Sequence, residues 1–287
     1  MIKTKLLLFL LFTISTLSAQ ISGTVKDSTT GKPIPYVNIW IENGDLGTNS
    51  EIDGTFYLKA APHQFLVFSS LGYETKKISA SQSQTIWLQP KIYELQEVVL
   101  EKRKGKNRVS HGDFSGINLN SGVTNTGQDE VHIWGKWIQP HEKIRKHPYL
   151  ESIEFKTRSQ LKNVIMRLRF YDVNAEGIPL GDMVTDEILI TVQKGTRLNR
   201  VDLSVYQIKI PENGMIIGFE YLKLEQNKFE YIYTVQGEKG RKKGMRYEPS
   251  IVGFFPGGKN LMVLNKDDSL RRSYGTVELA VKLNLID

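Results

Sequence analysis

His141-Glu142 is the pair in this sequence that comes nearest to a catalytic metal motif. A zincin helix needs histidines at i and i+4, so that both imidazoles leave one face with a glutamate base between them. Arg145 stands where the second histidine belongs, and a cation cannot ligate zinc. His63, His111, His132, His141 and His147 all lack the His-x-x-Glu spacing that a zinc carboxypeptidase uses to hold its metal. Ser115 in Asp113-Phe114-Ser115-Gly116 has no glycine two residues before it, which a nucleophile elbow requires. Gly257-Gly258-Lys259 lacks the spacing and the hydroxyl residue of a phosphate loop. The chain has no cysteine, so thiol nucleophiles, thiolate metal sites and disulfides are excluded together. No Asp-x-Asp-x-Asp calcium loop is present. The expectation is no catalytic residue, no metal and no cofactor.

Two acids and one group of aromatic and basic residues keep a functional reading open. Glu220 and Glu278 each lie in the middle of an apolar segment. A glycosidase would need two such carboxylates facing each other at about 5–9 Å. Both fall on the polar phase of their segments, which predicts that they face solvent. Asp267-Asp268, and Asp182 with Asp186, read as turn formers or solvated acids. Trp134, Trp137, Arg167, Arg169 and Tyr171 form the candidate ligand-binding set, with Tyr231, Tyr233 and Tyr247 as further aromatics. Sugars stack on aromatic faces, and arginine bonds hydroxyls or acidic groups. Core packing is the competing account of the same residues.

The elements that would carry these side chains are strands. From Ile21 to about Leu100 short alternating runs are separated by turn residues, among them Asn43-Gly44 and Asp53-Gly54. Val37, Ile39 and Ile41 share one face, and Phe65 to Phe68 and Thr85 to Leu88 read as further strands. From Phe114 onward period-two alternation returns. It runs through Val164 to Tyr171, Ile188 to Val192, Val201 to Val205, Ile217 to Tyr221, Phe229 to Tyr233 and Val277 to Leu285. The fold class is all-β, with two β-sandwich domains, the second jelly-roll-like. The boundaries are residues 20–100 and 113–287, joined by a basic linker over 101–112 that contains Lys102, Arg103, Lys104, Lys106 and Arg108.

Ile21-Ser-Gly-Thr-Val25, Gly31-Lys-Pro-Ile-Pro-Tyr-Val-Asn-Ile39, Gly47-Thr48, Asp53-Gly54-Thr55-Phe56, Ser69-Ser-Leu-Gly-Tyr73 and Glu94-Leu-Gln-Glu-Val-Val-Leu100 follow one another in order. The segment resembles the carboxypeptidase-regulatory-like domain, a transthyretin-like sandwich common at the N-termini of exported Bacteroidetes proteins. That domain accompanies zinc peptidases and precedes the plug and barrel of TonB-dependent receptors. Neither activity is implied here, because the zinc motif is missing and no plug-and-barrel length of chain follows. The resemblance implies a fold, and fold alone does not fix function.

Lys3, Lys5, the apolar run Leu6 to Ile14 and the small residues before Ala19 read as a signal peptide, residues 1–19, cleaved between Ala19 and Gln20. The run is too short for a membrane-spanning helix, which takes roughly 20 apolar residues. Forty per cent apolar residues is enough to build real cores. The net charge of +7 falls to +5 when Lys3 and Lys5 leave. Residues 239–246, with Lys239, Arg241, Lys242, Lys243 and Arg246 and no acid, read as a solvated loop or as a contact for anionic lipid or polysaccharide. Export disfavours nucleic acid as a partner. The expected protein is a non-catalytic cell-envelope binding or scaffolding module of the periplasm or outer membrane, in contact with an envelope protein or polysaccharide. A hydrolase built on the second sandwich, or an accessory of a TonB-dependent transporter, is the alternative.

Overall fold

The computed structural model describes residues 20–44, 46–91, 107–125, 133–235, 237–238, 240–255, 257–258, 260–265, 267–272 and 277–287. The expected signal peptide with Ala19, the Glu94–Leu100 segment and His132 lie outside these residues. The chain divides into two compact units, 1–90 and 91–287.

Among the described residues the first unit contains seven short strands: β1 Gln20–Asp27, β2 Asn38–Ile41, β3 Gly47–Asn49, β4 Thr55–Lys59, β5 Phe65–Ser69, β6 Lys76–Ser79 and β7 Thr85–Leu88. They form two sheets, ordered β4-β1-β7 and β3-β2-β5-β6. The alternation works here as expected: Phe56 and Leu58 are buried while Tyr57 and Lys59 are exposed, and Ile86 and Leu88 are buried while Trp87 is exposed. The inward residues Val25, Val37, Ile39, Phe56, Leu66, Phe68, Ile86 and Leu88 form one core, in which Phe56 and Phe68 meet edge to face at 5.5 Å. Asp27 closes the first turn by accepting from the Thr29 and Thr30 N–H groups, both at 2.8 Å. Its other oxygen accepts from the Tyr73 hydroxyl at 2.9 Å.

The Thr30 N–H holds the Asp27 carboxyl below the usual range, with burial opposing it and the Tyr73 hydroxyl and the Thr29 N–H adding to it. A depressed folded pKa contributes stability that is present above the unfolded aspartate value of about 4. That stability is lost as pH falls through the lower folded value. Asp27→Asn is therefore expected to flatten the acid limb of the first unit's stability, as read from urea midpoints taken at successive pH values from neutral into acid. An unchanged limb would place the acid sensitivity elsewhere.

The second unit contains β8 Arg108–His111, β9 Ser121–Asn125, β10 Ile133–Ile138, β11 Tyr149–Ser159, β12 Val164–Val173, β13 Pro179–Asp182, β14 Ile188–Val192 and β15 Gly195–Asp202. After these come β16 Met215–Tyr221, β17 Lys228–Tyr233, β18 Lys242–Phe254, β19 Leu261–Leu264, β20 Leu270–Arg272, β21 Glu278–Leu279 and β22 Val281–Ile286. One sheet runs β13-β12-β16-β10-β19-β20, with β14 also on β12. The other runs β17-β18-β11-β22-β8, with β15 on β11 and β9 and β21 on β18. The main core includes Met166, Leu168, Phe170, Ile217 and Phe219 of the first sheet and Ile153, Phe155, Val281, Leu283 and Leu285 of the second. All-β architecture in layered sheets is thus present in both units.

Two expectations are corrected. The basic linker was expected to stay extended to residue 112, but β8 pairs residue by residue with β22, from Arg108↔Ile286 to His111↔Leu283. Val109 packs against the main core, and Arg108 pairs with Glu151 at 2.7 Å. A strand in which only Val109 and His111 are half-buried is hidden in the sequence by the surrounding lysines and arginines. Val205 was placed on a strand, yet β15 ends at Asp202 and Val205 lies in a 3-10 turn, 65% exposed.

Candidate functional site

His141, the remnant of the zincin-like motif, caps the short helix α1 Glu142–Lys146: its Nδ1 accepts from the Lys143 N–H at 3.1 Å. Its ring lies 4.6 Å from that of His111. Burial pushes the His111 imidazole down, and His141, Lys136 and Lys143 push it the same way. Two histidines beside two lysines make a poor cation site. Among the described residues no group of three or more metal-ligating side chains is present.

The candidate ligand-binding set is split by strand parity. Trp134 and Trp137 are three residues apart, so their side chains leave opposite faces of β10. Trp134 packs against the main core, whereas Trp137 joins a second, smaller core on the outward face. That core consists of Ile133, Tyr171, Val173, Ile216, Met262 and Leu264. Two glycines let it lie close to the sheet. A Cβ on Gly218 would sit 2.9 Å from the Tyr171 ring, and one on Gly135 would sit 2.7 Å from an Ile216 methyl. The Glu176-Gly177 turn closes over Trp137 in the same way, at 2.9 Å. The face that an antiparallel sandwich usually leaves to water is therefore covered.

Arg167, Arg169 and Tyr171 follow one another on this outward face of β12 and are 1%, 7% and 0% exposed. The expectation that they present a sugar-binding surface is corrected by that burial and by their partners. Arg167 donates to Glu220 Oε1 at 3.1 Å from Nη1, and to Glu187 Oε1 at 3.1 Å from Nε and again from Nη2. Arg169 forks onto Asp182 through Nε at 2.9 Å and through Nη2. It also forks onto Asp268, at 2.7 and 2.9 Å. The Tyr171 hydroxyl donates to Asp268 Oδ1 at 3.1 Å. Burial works against the charged form of Arg167, but Glu220 and Glu187 outweigh it and raise its pKa. Burial also pushes the Tyr171 phenol up, so it stays a neutral donor. The charged ends of both arginines are satisfied inside the protein.

Glu220 does not face solvent. It is directly opposite Arg167 in the ladder and fully buried. Glu278 meets Lys136 at 3.0 Å and accepts from the Gly258 N–H at 2.9 Å. Burial raises the Glu278 carboxyl, but Lys136 and these hydrogen bonds outweigh it and hold it below the usual range. Lys136 leaves the inward side of β10, since Gly135 and Trp137 flank it on the outward side, and it also donates to the Leu279 carbonyl at 2.8 Å. Glu220 and Lys136 thus lie on opposite faces of one sheet, and Glu220 and Glu278 do not form a facing carboxylate pair. Asp182 and Asp268 read as turn formers or solvated acids; Asp268 does lie in the turn after β19, where its N–H donates to the Asn265 carbonyl at 3.0 Å, but both carboxylates are engaged as acceptors for Arg169. Asp267 does form its turn, accepting from the Ser269 N–H at 3.0 Å.

The described molecule is an all-β chain of two units whose central charges are internally paired. Residues 21–100 match the CarboxypepD_reg-like domain family. The chain is 29% identical over 116 residues to the TonB-dependent receptor SusC of Bacteroides thetaiotaomicron, a match covering 38% of this chain and 11% of the receptor. It is 33% identical over 121 residues to the TonB-dependent receptor P3 of Formosa agariphila, covering 40% of this chain and 12% of that one. The matched part thus spans about a tenth of the length of these curated relatives. A crystal structure of a candidate carbohydrate binding protein from Bacteroides uniformis aligns over 82% of this chain and 98% of its own. It does so at 10% identity and a TM-score of 0.19, a superposition too poor to bear on the fold.

Proposed function

We propose that this is a non-catalytic, exported cell-envelope protein that works as a binding or scaffolding module at the periplasmic side of the outer membrane. The observation that carries the reading is the state of its candidate catalytic groups. Glu220 and Glu278, the acids that a glycosidase would have to deploy, belong to different sheets and are each ion-paired, Glu220 with Arg167 on the outward face of the β12–β16 sheet and Glu278 with Lys136 on its inward face. The match at residues 21–100 and the similarity to two TonB-dependent receptors support the envelope setting. Partnership with a TonB-dependent receptor is the form of the reading that this similarity favours. Among the described residues β6 ends its sheet in the first unit, and such an edge suits docking by strand addition.

The expected result is that the full chain binds a purified TonB-dependent receptor or an envelope polysaccharide and turns over no substrate in a panel of glycosides and peptides. Turnover that disappears in Glu220→Gln or Glu278→Gln would replace this reading with a hydrolase. Binding to neither receptor nor polysaccharide would remove its support.

A further inference from the structure

β17 and the first half of β18 form a two-stranded ribbon. Six cross-strand pairs, from Lys228↔Tyr247 to Tyr233↔Lys242, give it a length of about 20 Å. Among the described residues β17 pairs with β18 alone. Phe229, Tyr231 and Tyr233 alternate onto one face of this ribbon. Their cross-strand partners on that face are Arg246, Gly244 and Lys242. The Phe229 and Tyr231 rings are nearly parallel, 15° apart, with centroids 6.2 Å apart. At that distance they are offset along the strand and do not overlap fully. Tyr233 continues the series at 5.9 Å and is 41% exposed. Tyr231 lies across Gly244, where a Cβ would come within 2.6 Å of its ring. The Arg246 guanidinium lies 5.1 Å from the Phe229 centroid and 5.5 Å from that of Tyr231.

Ribbon stability accounts for some of this, since cross-strand and cation–π contacts hold an otherwise marginal hairpin together. It does not account for an aromatic row that runs out to an exposed Tyr233 beside the cations of the tip. Glu248, two residues beyond Arg246 on the same face, is 1% exposed. Its Oε1 accepts from Arg246 Nε at 2.9 Å, while Oε2 is shut off from solvent with no hydrogen-bond partner. Thr124 lies opposite this point, between the pairs Asn125↔Tyr247 and Val123↔Ile251, and its Oγ1 also lacks a partner. Both atoms are closed to solvent, so this corner anchors Arg246 at the base of the ribbon and is not reached from the open face. At the other end of the ladder Arg241, Lys242 and Lys243 are exposed, and residues 241–246 contain four cations and no acid. Lys242 is partly engaged by Glu238 at 2.6 Å.

We propose that the ladder face of this ribbon binds an anionic polysaccharide. Sugar rings lie on Phe229, Tyr231 and Tyr233, and the cations of the same face, Arg246 and Lys242, receive the polymer's carboxylate or sulfate groups. The ladder face carries tyrosines and a phenylalanine with no aliphatic side chain, which suits sugar stacking better than insertion into lipid. The inference rests on the binding-module reading above and gives it a site and a ligand class.

Affinity electrophoresis of the full chain in gels containing polygalacturonate, dextran sulfate or amylose tests it, with sedimentation on anionic phospholipid vesicles alongside. Polygalacturonate is expected to retard the wild type, less so as salt is raised. Tyr231→Ala and Tyr233→Ser are each expected to weaken the interaction about tenfold, as is Lys242→Gln. Tyr233 is at the exposed end, so Tyr233→Ser carries the test if Tyr231→Ala disturbs folding, with thermal melts as the check. Polygalacturonate affinity unchanged in Tyr233→Ser and in Lys242→Gln overturns the ribbon site while leaving a glycan-binding module standing. Binding to vesicles alone overturns it in favour of a membrane contact. No binding to any polymer overturns it too, and receptor binding then decides the broader reading independently.

Discussion

Arg167→Met is expected to destabilise the second unit by about 3–5 kcal/mol, the range for removing one partner of a buried ion pair. The cost comes from what stays behind more than from the lost attraction. Glu220 is fully buried and sits directly across the ladder from Arg167, so without the guanidinium its charge has no route to water. Glu187, whose side chain is 32% exposed, can turn outward and lose little. Glu220→Leu should cost less than Arg167→Met, because Arg167 keeps Glu187. The double variant Arg167→Met with Glu220→Leu should recover much of the loss, since an apolar pair of similar volume often substitutes for a buried ion pair. Urea unfolding followed by tryptophan fluorescence measures all three; Trp134 and Trp137 are both in this unit and report on both of its cores. A single variant within about 1 kcal/mol of wild type would mean that the pair is solvated and that the outward face is open.

The same residues show where the sequence stops being legible. In the first unit one face of each sheet is buried and the other is wet, so apolar and polar residues alternate as they should, and β4 and β7 can be read directly. In β16 all seven residues are buried, and the pattern Met-Ile-Ile-Gly-Phe-Glu-Tyr offers a single polar residue to mark a phase. Read by itself, Glu220 belongs to a solvent face. What buries it is Arg167, 53 residues earlier, and that register follows from the assembled sheet. One signal was available locally. Arginines at two successive same-phase positions of an otherwise apolar strand need carboxylates, because a cation buried without them would be expelled. The parity of Trp134 and Trp137 was available too, since an odd separation on a strand forbids a shared platform. The convergence of Asp182 and Asp268 on Arg169, across 13 and 99 residues of chain, has no counterpart in local spacing.

Gly23→Ala is expected to unfold the first unit while leaving the second folded. Gly23 sits in the middle of β1, where glycine normally weakens a strand, so its presence in the Ile21–Val25 motif requires a reason. A Cβ at this position would lie 1.9 Å from the Ser83 carbonyl oxygen and 2.8 Å from the Phe56 ring. The ring could shift, but the carbonyl cannot easily. Ser83 is itself buried and its hydroxyl donates to the Ala80 carbonyl at 2.7 Å. The next carbonyl, that of Gln84, accepts from the Thr24 N–H at 3.0 Å. Relieving the contact means separating β1 from the turn that feeds β7, and with it the parallel pairing Thr24↔Thr85 through Asp27↔Leu88. Overpacking a side chain costs about 1–3 kcal/mol; a clash with fixed backbone belongs at or above the top of that range. For a unit of this size such a loss is a large part of the total stability. Calorimetry of the full chain should show the first unit's transition lowered or absent, with the second unit's transition in place. Two transitions at wild-type temperatures would mean that β1 and the 80–84 turn do not approach as closely as the packing around Phe56 requires.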